Sequence, residues 1–249
     1  MYSQEKVLPF NSSENKGKQV SRMFDSIAKT YDEINLFMSL GIDRYWRNKL
    51  ISSLAPYAAK NNGTTKILDI ATGTGDLAIL EAKKLKPEMV LGVDISEGMM
   101  AIGKEKVAKK GLSDIVSFSK EDATQMTFAD DSFHIATASF GIRNFENLDA
   151  ALLEIRRILK PGGVLGIIEL SEPVSFPMKQ LFRMYSHTML PLIGRLIANN
   201  KNSYNYLVHS IEAFPQGEVM TEIVKKAGFS RVTFKRLTFG ICTMYIIEK

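Results

Sequence analysis

The fold is decided by the stretch Lys66-Ile-Leu-Asp-Ile-Ala-Thr-Gly-Thr-Gly-Asp-Leu-Ala78. Residues 66–70 form an apolar run typical of a short buried strand, residues 71–75 are a glycine turn, and a helix begins at Asp76. A glycine turn between strand and helix lets backbone N–H groups approach a ligand, because no Cβ stands in the way. The stretch therefore predicts a nucleoside-type cofactor at the carboxyl edge of a parallel sheet.

Strands and helices alternate beyond this stretch. Four further strands are predicted at 89–94, 115–119, 133–138 and 164–170, with helices between them, and the chain closes with an antiparallel hairpin around Gly240. This pattern predicts an α/β fold with a doubly wound, mostly parallel, seven-stranded sheet. A parallel sheet that ends in a hairpin is the layout of the Rossmann-like class I methyltransferases, by analogy of fold.

The glycine turn alone leaves two cofactors open. Gly73-Thr-Gly75-Asp-Leu-Ala78 fits the G-x-G-x-x-G/A pattern of dinucleotide enzymes as well as the looser loop of S-adenosyl-L-methionine enzymes. Asp69 and Asp76 flank the turn, and their charges would repel a pyrophosphate but attract a cationic sulfonium. Asp76 is also explained as a helix cap, whereas Asp69 is not. We therefore favour S-adenosyl-L-methionine.

The turn and the second strand supply the first cofactor contacts. Gly73 and Gly75 open the turn, and Thr74 offers its hydroxyl and backbone to the amino acid portion of the cofactor. Asp94 ends the second strand, where a carboxylate accepts hydrogen bonds from ribose hydroxyls. The alternative for Asp94 is to cap the following helix.

The third and fourth strands supply the remaining cofactor contacts. Asp122 follows the third strand, where its carboxylate is placed for the adenine amino group and the Ala123 N–H for a ring nitrogen. The alternative for Asp122 is a turn residue. Ser139 ends the fourth strand, at the mouth where the methyl group must point.

Composition limits the function classes. The chain has 249 residues, 45% of them hydrophobic, and a single cysteine, Cys242, which excludes an internal disulfide framework and a cysteine-based zinc site. The three histidines are scattered, so no metal site is expected. The net charge of +5 is typical of a mixed solvated surface, and we expect no nucleic acid partner. An apolar leader is absent, and a cytoplasmic location is expected.

Three regions are expected along the chain: a mobile N-terminal tail at 1–19, a helical cap at 20–60 and the Rossmann-like methyltransferase domain at 61–249. The domain carries a helical insertion at about 174–210.

Four motifs carry a family resemblance. They are Tyr31–Trp46, Ser139–Asn144, Arg157–Ser171 and Tyr206–Pro215. From about Val20 onward the chain resembles the quinone-biosynthesis C-methyltransferases, the menaquinone and ubiquinone methyltransferase family. The glycine turn is more similar to the menaquinone branch. One departure is Asp43, where the family commonly has histidine, which puts an acid–base role at that position in doubt.

The resemblance implies S-adenosyl-L-methionine-dependent C-methylation of a prenylated naphthoquinol, with demethylmenaquinol as substrate. The benzoquinol precursor of ubiquinone is the alternative within the family. A nicotinamide oxidoreductase and a non-catalytic module that binds nucleic acid or membrane are the alternatives outside it.

The chemistry needs a stabilised phenolate, because a ring carbon is nucleophilic only beside an ionised phenol and a phenol titrates near pH ~10. Arg143 is the candidate cation, and Asn144 is placed to bind the same oxygen or orient a water. The alternative for Arg143 is an ion pair with a nearby carboxylate such as Glu146. Tyr31, in the first motif, is assigned to the substrate.

An isoprenoid tail needs an apolar site. The apolar stripe from Phe176 to Ile193, with the segment Met23–Met38, is predicted to form a lid over the substrate, and a plain core or a homodimer interface is the alternative. Basic residues interleave with the stripe and would allow peripheral contact with an anionic membrane, at the inner face of the cell membrane. They are Lys179, Arg183, Arg195 and Lys201.

Overall fold

A seven-stranded sheet lies at the centre of the computed structural model, which describes residues 1–189 and 201–249. The strands are β1 (Lys66–Ile70), β2 (Met89–Asp94), β3 (Val116–Lys120), β4 (Phe133–Ser139), β5 (Leu159–Leu170), β6 (Arg231–Leu237) and β7 (Cys242–Glu248). Their order across the sheet is β3-β2-β1-β4-β5-β7-β6, and only β7 runs antiparallel to the other strands. The predicted parallel sheet with a C-terminal hairpin is confirmed.

Helices cover both faces of the sheet. They are α1 (Lys16–Ile27), α2 (Tyr31–Ser39), α3 (Ile42–Ala59), α4 (Asp76–Leu85), α5 (Glu97–Lys109), α6 (Leu148–Ile158), α7 (Met178–Met184), α8 (Lys201–Ala213) and α9 (Glu218–Lys226). Apolar residues of α3, α4 and α5 pack on one face, and those of α6 and α9 pack on the other. Because β1 and β4 are neighbours at the centre, their carboxyl ends meet at one edge of the sheet.

One strand begins earlier than the sequence suggests. We expected β5 to start at Val164. In the structure β5 begins at Leu159, because this residue pairs with Phe133 of β4 before the turn. Gly162 takes a positive φ of 74° inside this turn, which a side chain would strain.

The three expected regions stay a prediction, but the packing argues for different boundaries. Helix α1 begins at Lys16, inside the expected tail, and Tyr2 donates a hydrogen bond to Asp149 at 2.6 Å. Leu50 and Leu54 of α3 are fully buried against the sheet. Helix α3 therefore belongs to the core, and α1 and α2 are the helices that cover the sheet edge.

None of the helices in the two described ranges has the length and apolar character needed to cross a bilayer.

Candidate active site

A cleft opens where the carboxyl ends of β1, β2 and β4 meet, and the glycine turn forms its floor. We call it the glycine-turn cleft; among its lining residues are Ala71, Gly73, Asp94, Met99, Asp122, Ala123, Ser139 and Asn144. Gly73 has a φ of 55°, and a Cβ there would lie 3.3 Å from the Met99 side chain. The absence of a side chain therefore keeps the turn open to a ligand.

Asp94 is held in this cleft by the turn itself. Its Oδ2 accepts a hydrogen bond from the Gly73 N–H at 2.8 Å, and its Oδ1 accepts one from the Ser96 N–H at 2.9 Å. Burial raises the pKa of the carboxyl, with a smaller contribution from the charge of Asp25. Ser96, not Asp94, caps α5, since its hydroxyl accepts from the Met99 N–H. The capping alternative for Asp94 is therefore wrong.

Asp122, Ala123 and Ser139 also line the cleft. Asp122 Oδ1 accepts hydrogen bonds from the N–H and the hydroxyl of Thr124. One oxygen of this carboxylate therefore stabilises the turn, as the alternative for Asp122 predicted. Its Oδ2 makes no hydrogen bond within the described part of the chain. The Ser139 hydroxyl is buried and has no partner among the described residues. A buried polar atom without a partner is costly and points to a ligand.

Asp69 points toward α4 on one face of the sheet and does not line the cleft. It is only 1% exposed, and its carboxylate accepts hydrogen bonds from the hydroxyls of Thr72, at 2.6 Å, and Thr137, at 3.2 Å. Burial raises its pKa to about 6, while the two hydroxyls oppose the shift. Glu81 of α4 shares the Thr137 hydroxyl. The structure therefore does not place Asp69 at the cleft.

Thr74, Gly75 and Asp76 also turn away from the cleft. The Thr74 hydroxyl donates to Asp32 of α2 at 2.7 Å and accepts from Lys106 of α5 at 3.1 Å. Lys106 also pairs with Asp76, so that charge is neutralised, and Gly75 occupies the helix N-cap position with a φ of 76°. The acidic residues that line the cleft are Asp94, Glu121, Asp122 and Glu146, and not Asp69 and Asp76, which corrects the argument from the sequence.

A second, mostly apolar cavity of about 260 Å³ lies between α1, α2, α3 and α8. We call it the apolar cavity; its lining includes Met23, Ile27, Ile34, Met38, Ile42, Trp46, Leu170, Phe182, Leu207 and Ile211, with Asp43, Arg47 and Arg143 among its polar residues. Phe24, Tyr31 and Phe140 line both the cavity and the glycine-turn cleft. The two sites therefore share a wall.

Arg143 is fixed at the cavity by a buried ion pair. Its Nη1 lies 2.6 Å from Glu169 Oε1 and also donates to the Phe140 carbonyl, and its Nε donates to Ser210 at 3.3 Å. Arg143 is 6% exposed and Glu169 is 1% exposed. Among the described residues, Nη2 has no hydrogen-bond partner and is left for a ligand. The alternative of an ion pair with a carboxylate is thus observed, with Glu169 as the partner, while Glu146 accepts from the Gly17 N–H.

Asn144 and Tyr31 lie at the junction of the two sites. The Asn144 Oδ1 accepts a hydrogen bond from the Tyr206 hydroxyl at 3.0 Å, which fixes the carboxamide while Asn144 lines the cleft. Burial raises the pKa of Tyr31, and the positive charges of Arg143 and Arg47 oppose this shift. Tyr31 therefore lies within the field of both guanidinium groups.

The predicted lid is present only in part. The Met23–Met38 segment and Phe182 line the apolar cavity, but Phe176, Leu181 and Met184 are exposed and do not. Tyr185 donates a hydrogen bond to the Met38 carbonyl at 3.1 Å, which joins the end of α7 to the end of α2. Residues 190–193 of the stripe, and Arg195, lie outside the described residues.

Sequence reasoning missed Glu169, Arg47 and Lys106. Glu169 is a lone acid in the apolar run of β5, and that isolation was the available signal. Arg47 and Lys106 lie on helices whose charged residues look like solvated surface until the helix partners are known.

The chemistry of the cleft fits S-adenosyl-L-methionine. The Ser139 hydroxyl, unpartnered among the described residues, lies at the carboxyl end of β4, four acidic residues line the cleft, and glycine leaves the turn open. These groups match a ligand with ribose hydroxyls, an adenine amino group and a positive charge.

Comparison with known proteins agrees with this geometry. A demethylmenaquinone methyltransferase of Bacteroides fragilis is 51% identical over 248 residues, covering 100% of this chain and 99% of that protein. A ubiquinone/menaquinone biosynthesis C-methyltransferase UbiE of Bartonella tribocorum is 38% identical and covers 92% of this chain and 88% of its own length.

Solved structures show the fold. A SAM-dependent methyltransferase of Thermotoga maritima superposes with a TM-score of 0.59 at 20% identity, over 92% of this chain and 99% of that one. Phosphoethanolamine N-methyltransferase 2 of Haemonchus contortus, solved with S-adenosyl-L-methionine, gives 0.56 at 19% identity over 74% of this chain. This chain spans about half of that enzyme, 48% of its length. The class I methyltransferase fold is thereby confirmed.

The ubiE/COQ5 methyltransferase family matches residues 12–249, and the chain belongs to that family.

Proposed function

We propose that this protein methylates a ring carbon of demethylmenaquinol with S-adenosyl-L-methionine as donor. The observation that carries the proposal is the wall shared by the glycine-turn cleft and the apolar cavity, at Phe24, Tyr31 and Phe140. Methyl transfer needs donor and acceptor in contact and shielded from water, and two sites that meet at one aromatic wall meet this need. Family membership decides against the nicotinamide oxidoreductase and the non-catalytic module.

The cleft residues would hold the donor, which supplies an electrophilic methyl group when bound. Asp94 is placed for the ribose hydroxyls, and Asp122 with the Ala123 N–H for the adenine. Gly73 keeps the turn open, and the Ser139 hydroxyl offers a hydrogen bond at the carboxyl end of β4. Asp69, Thr74 and Gly75 support the loop from behind and hold it in shape.

Arg143 would stabilise the phenolate of the acceptor. Only about one part in a thousand of a phenol with a pKa near 10 is ionised at pH 7. A guanidinium within contact distance lowers such a pKa by about 1 to 3 units, and this one is buried, so water screens it little. Its pairing with Glu169 fixes its direction.

Asn144 and Tyr31 would complete the polar end of the site. The Tyr206 hydroxyl holds the Asn144 Oδ1, which leaves the amide N–H groups free to donate to the substrate oxygen or to orient a water. Tyr31 lines both sites, so it is placed where donor and acceptor would meet.

The relatives support naphthoquinol over benzoquinol. The 51% identical protein of Bacteroides fragilis and a 39% identical protein of Porphyromonas gingivalis are both named demethylmenaquinone methyltransferase. Deletion of the gene should make cells accumulate a demethylated naphthoquinone in extracted quinones, and wild-type protein should restore the methylated form. An unmethylated benzoquinone intermediate would move the assignment to the ubiquinone branch, and an unchanged quinone profile would contradict the function.

An exposed apolar rim supports contact with an anionic membrane, where a prenylated substrate resides. Leu40 is 88% exposed, Phe176 81% and Met184 61%, and Arg183, which precedes Met184, is half exposed and pairs with Glu172 at 3.7 Å. Flotation with anionic vesicles should be strong at low salt and weak for Phe176→Ser with Met184→Ser, while Val219→Ser, a change of an equally exposed residue on α9, should behave as wild type. No flotation, with a homodimer in sedimentation, would instead assign the rim to self-association.

A further inference from the structure

Arg47 is a second buried guanidinium at the apolar cavity. It is 9% exposed and lines the cavity, although it lies on α3, remote in sequence from the Arg143 motif. Its Nη1 pairs with Asp43, one turn earlier on the same helix. Asp43 is in turn fixed by the Ser39 hydroxyl, which donates to it at 2.8 Å. The pair is therefore a rigid feature of the cavity wall.

Most of the hydrogen-bonding capacity of Arg47 is unused. A guanidinium has five N–H donors, and within residues 1–189 and 201–249 only the contact with Asp43 is formed. Its Nε is buried without a partner among the described residues. Buried N–H groups nearly always have an acceptor, and Nη2, which also makes no hydrogen bond within the described residues, is the group that an acceptor on a ligand could reach.

The two guanidinium groups both contact Phe140. Arg47 lies over the Phe140 ring at 5.3 Å from its centroid, and Arg143 donates to the Phe140 carbonyl. Both arginines line the cavity and both contact Phe140, so they lie at the same end of it. The rest of the lining is predominantly apolar. A ligand that fits is an aromatic ring with oxygen on two sides and an apolar tail.

The geometry points to Arg47 as the binding residue for the second ring oxygen of a hydroquinone, with Asp43 as its positioning residue. This inference rests on the proposed function, in which Arg143 holds the oxygen beside the reacting carbon. Arg47 would then make the site selective for rings that carry two oxygens over rings that carry one. A charge-assisted hydrogen bond of this kind corresponds to a preference of about 10- to 100-fold.

The test compares two ligands in two proteins. The ligands are a short-chain prenylated 1,4-naphthohydroquinone and the matching prenylated 1-naphthol, which lacks the second oxygen, both handled without oxygen. Trp46 is the single tryptophan and lines the cavity, so quenching of its fluorescence reports dissociation constants directly. Wild type should bind the hydroquinone about 10- to 100-fold more tightly, and Arg47→Met should bind both ligands about equally.

Controls separate this role from folding. Arg47→Met leaves the buried Asp43 carboxylate unpaired, so Asp43→Asn with Arg47→Met removes both charges and should show the same loss of preference at a melting temperature near wild type. Asp43→Asn alone should raise KM for the hydroquinone with little change in kcat, because it removes the carboxylate that positions Arg47 but keeps the guanidinium. An unchanged preference in the double variant would overturn the inference.

Methylation by wild type keeps the two proposals apart. If wild type methylates the hydroquinone yet binds both ligands equally, the role of Arg47 is wrong and the proposed function stands. If wild type methylates neither ligand, the proposed function fails first.

Discussion

Replacement of Arg143 by methionine separates its two roles. The variant loses the ion pair with Glu169 at 2.6 Å and the donors to Phe140 and Ser210, and it leaves a 1% exposed carboxylate without a counter-charge. Removing one partner of a buried pair costs about 3 to 5 kcal/mol. For a domain of this size, such a loss lowers the melting temperature by roughly 10 °C.

The catalytic loss is calculated separately. If Arg143 lowers the phenol pKa by about 1 to 3 units, its removal reduces the ionised fraction at pH 7, and with it kcat, about 10- to 1000-fold. Cofactor affinity should change little, because Arg143 lines the apolar cavity and not the glycine-turn cleft. Initial rates at saturating donor give kcat, and calorimetric titration gives the dissociation constant of the donor.

The control is the double variant Arg143→Met with Glu169→Gln. It also removes the unpaired charge of Glu169, so most of the lost stability should return while kcat stays low. Glu169→Gln alone keeps the guanidinium and should lose much less kcat than Arg143→Met. If kcat recovered together with the melting temperature in the double variant, Arg143 would be structural only and the reasoning would be refuted.

Three further variants test other parts of the site. Asp94→Ala should raise the dissociation constant of S-adenosyl-L-methionine about 10- to 100-fold in a calorimetric titration, and an unchanged value would remove Asp94 from the cofactor site. Tyr206→Phe frees the Asn144 carboxamide and should lower kcat with donor affinity intact; equal rates in the steady-state assay would show that Asn144 needs no anchor. The melting temperature of Glu81→Gln, relative to that of wild type, should increase as the pH rises from 5 to 9. Burial and the charge of Asp69 raise the pKa of Glu81 above 4.5 in the folded protein. The contribution of Glu81 to stability is therefore present below pH 4.5 and is lost as the pH rises through the pKa of the folded protein. Parallel curves for the variant and wild type would contradict this.

The backbone of the site could be predicted from sequence because its signals are local. The glycine turn follows β1 directly, β1 and β2 have the predicted bounds, and α4 begins at Asp76 as predicted. Asp94 could be predicted because it ends β2, and the carboxyl ends of parallel strands meet at the same edge of the sheet.

Side-chain direction could not be predicted in the same way. Ile67–Ile70 are all buried, so the hydrophobic pattern does not show that Asp69 turns toward α4 and away from the cleft. The pairing of Arg143 with Glu169 depends on β4 and β5 lying side by side, and that of Asp32 with Lys106 on how α2 packs. These contacts are long-range, and local patterns carry no information about them.

The most direct test is methyl transfer by the purified protein from trideuteromethyl-labelled S-adenosyl-L-methionine to a short-chain demethylnaphthohydroquinone, followed by mass spectrometry and NMR of the product. We expect the label on the ring carbon next to the prenylated position, with the reduced ring as substrate and the oxidised quinone inert. Label on an oxygen atom, or no transfer by folded protein that binds the donor, would contradict the account.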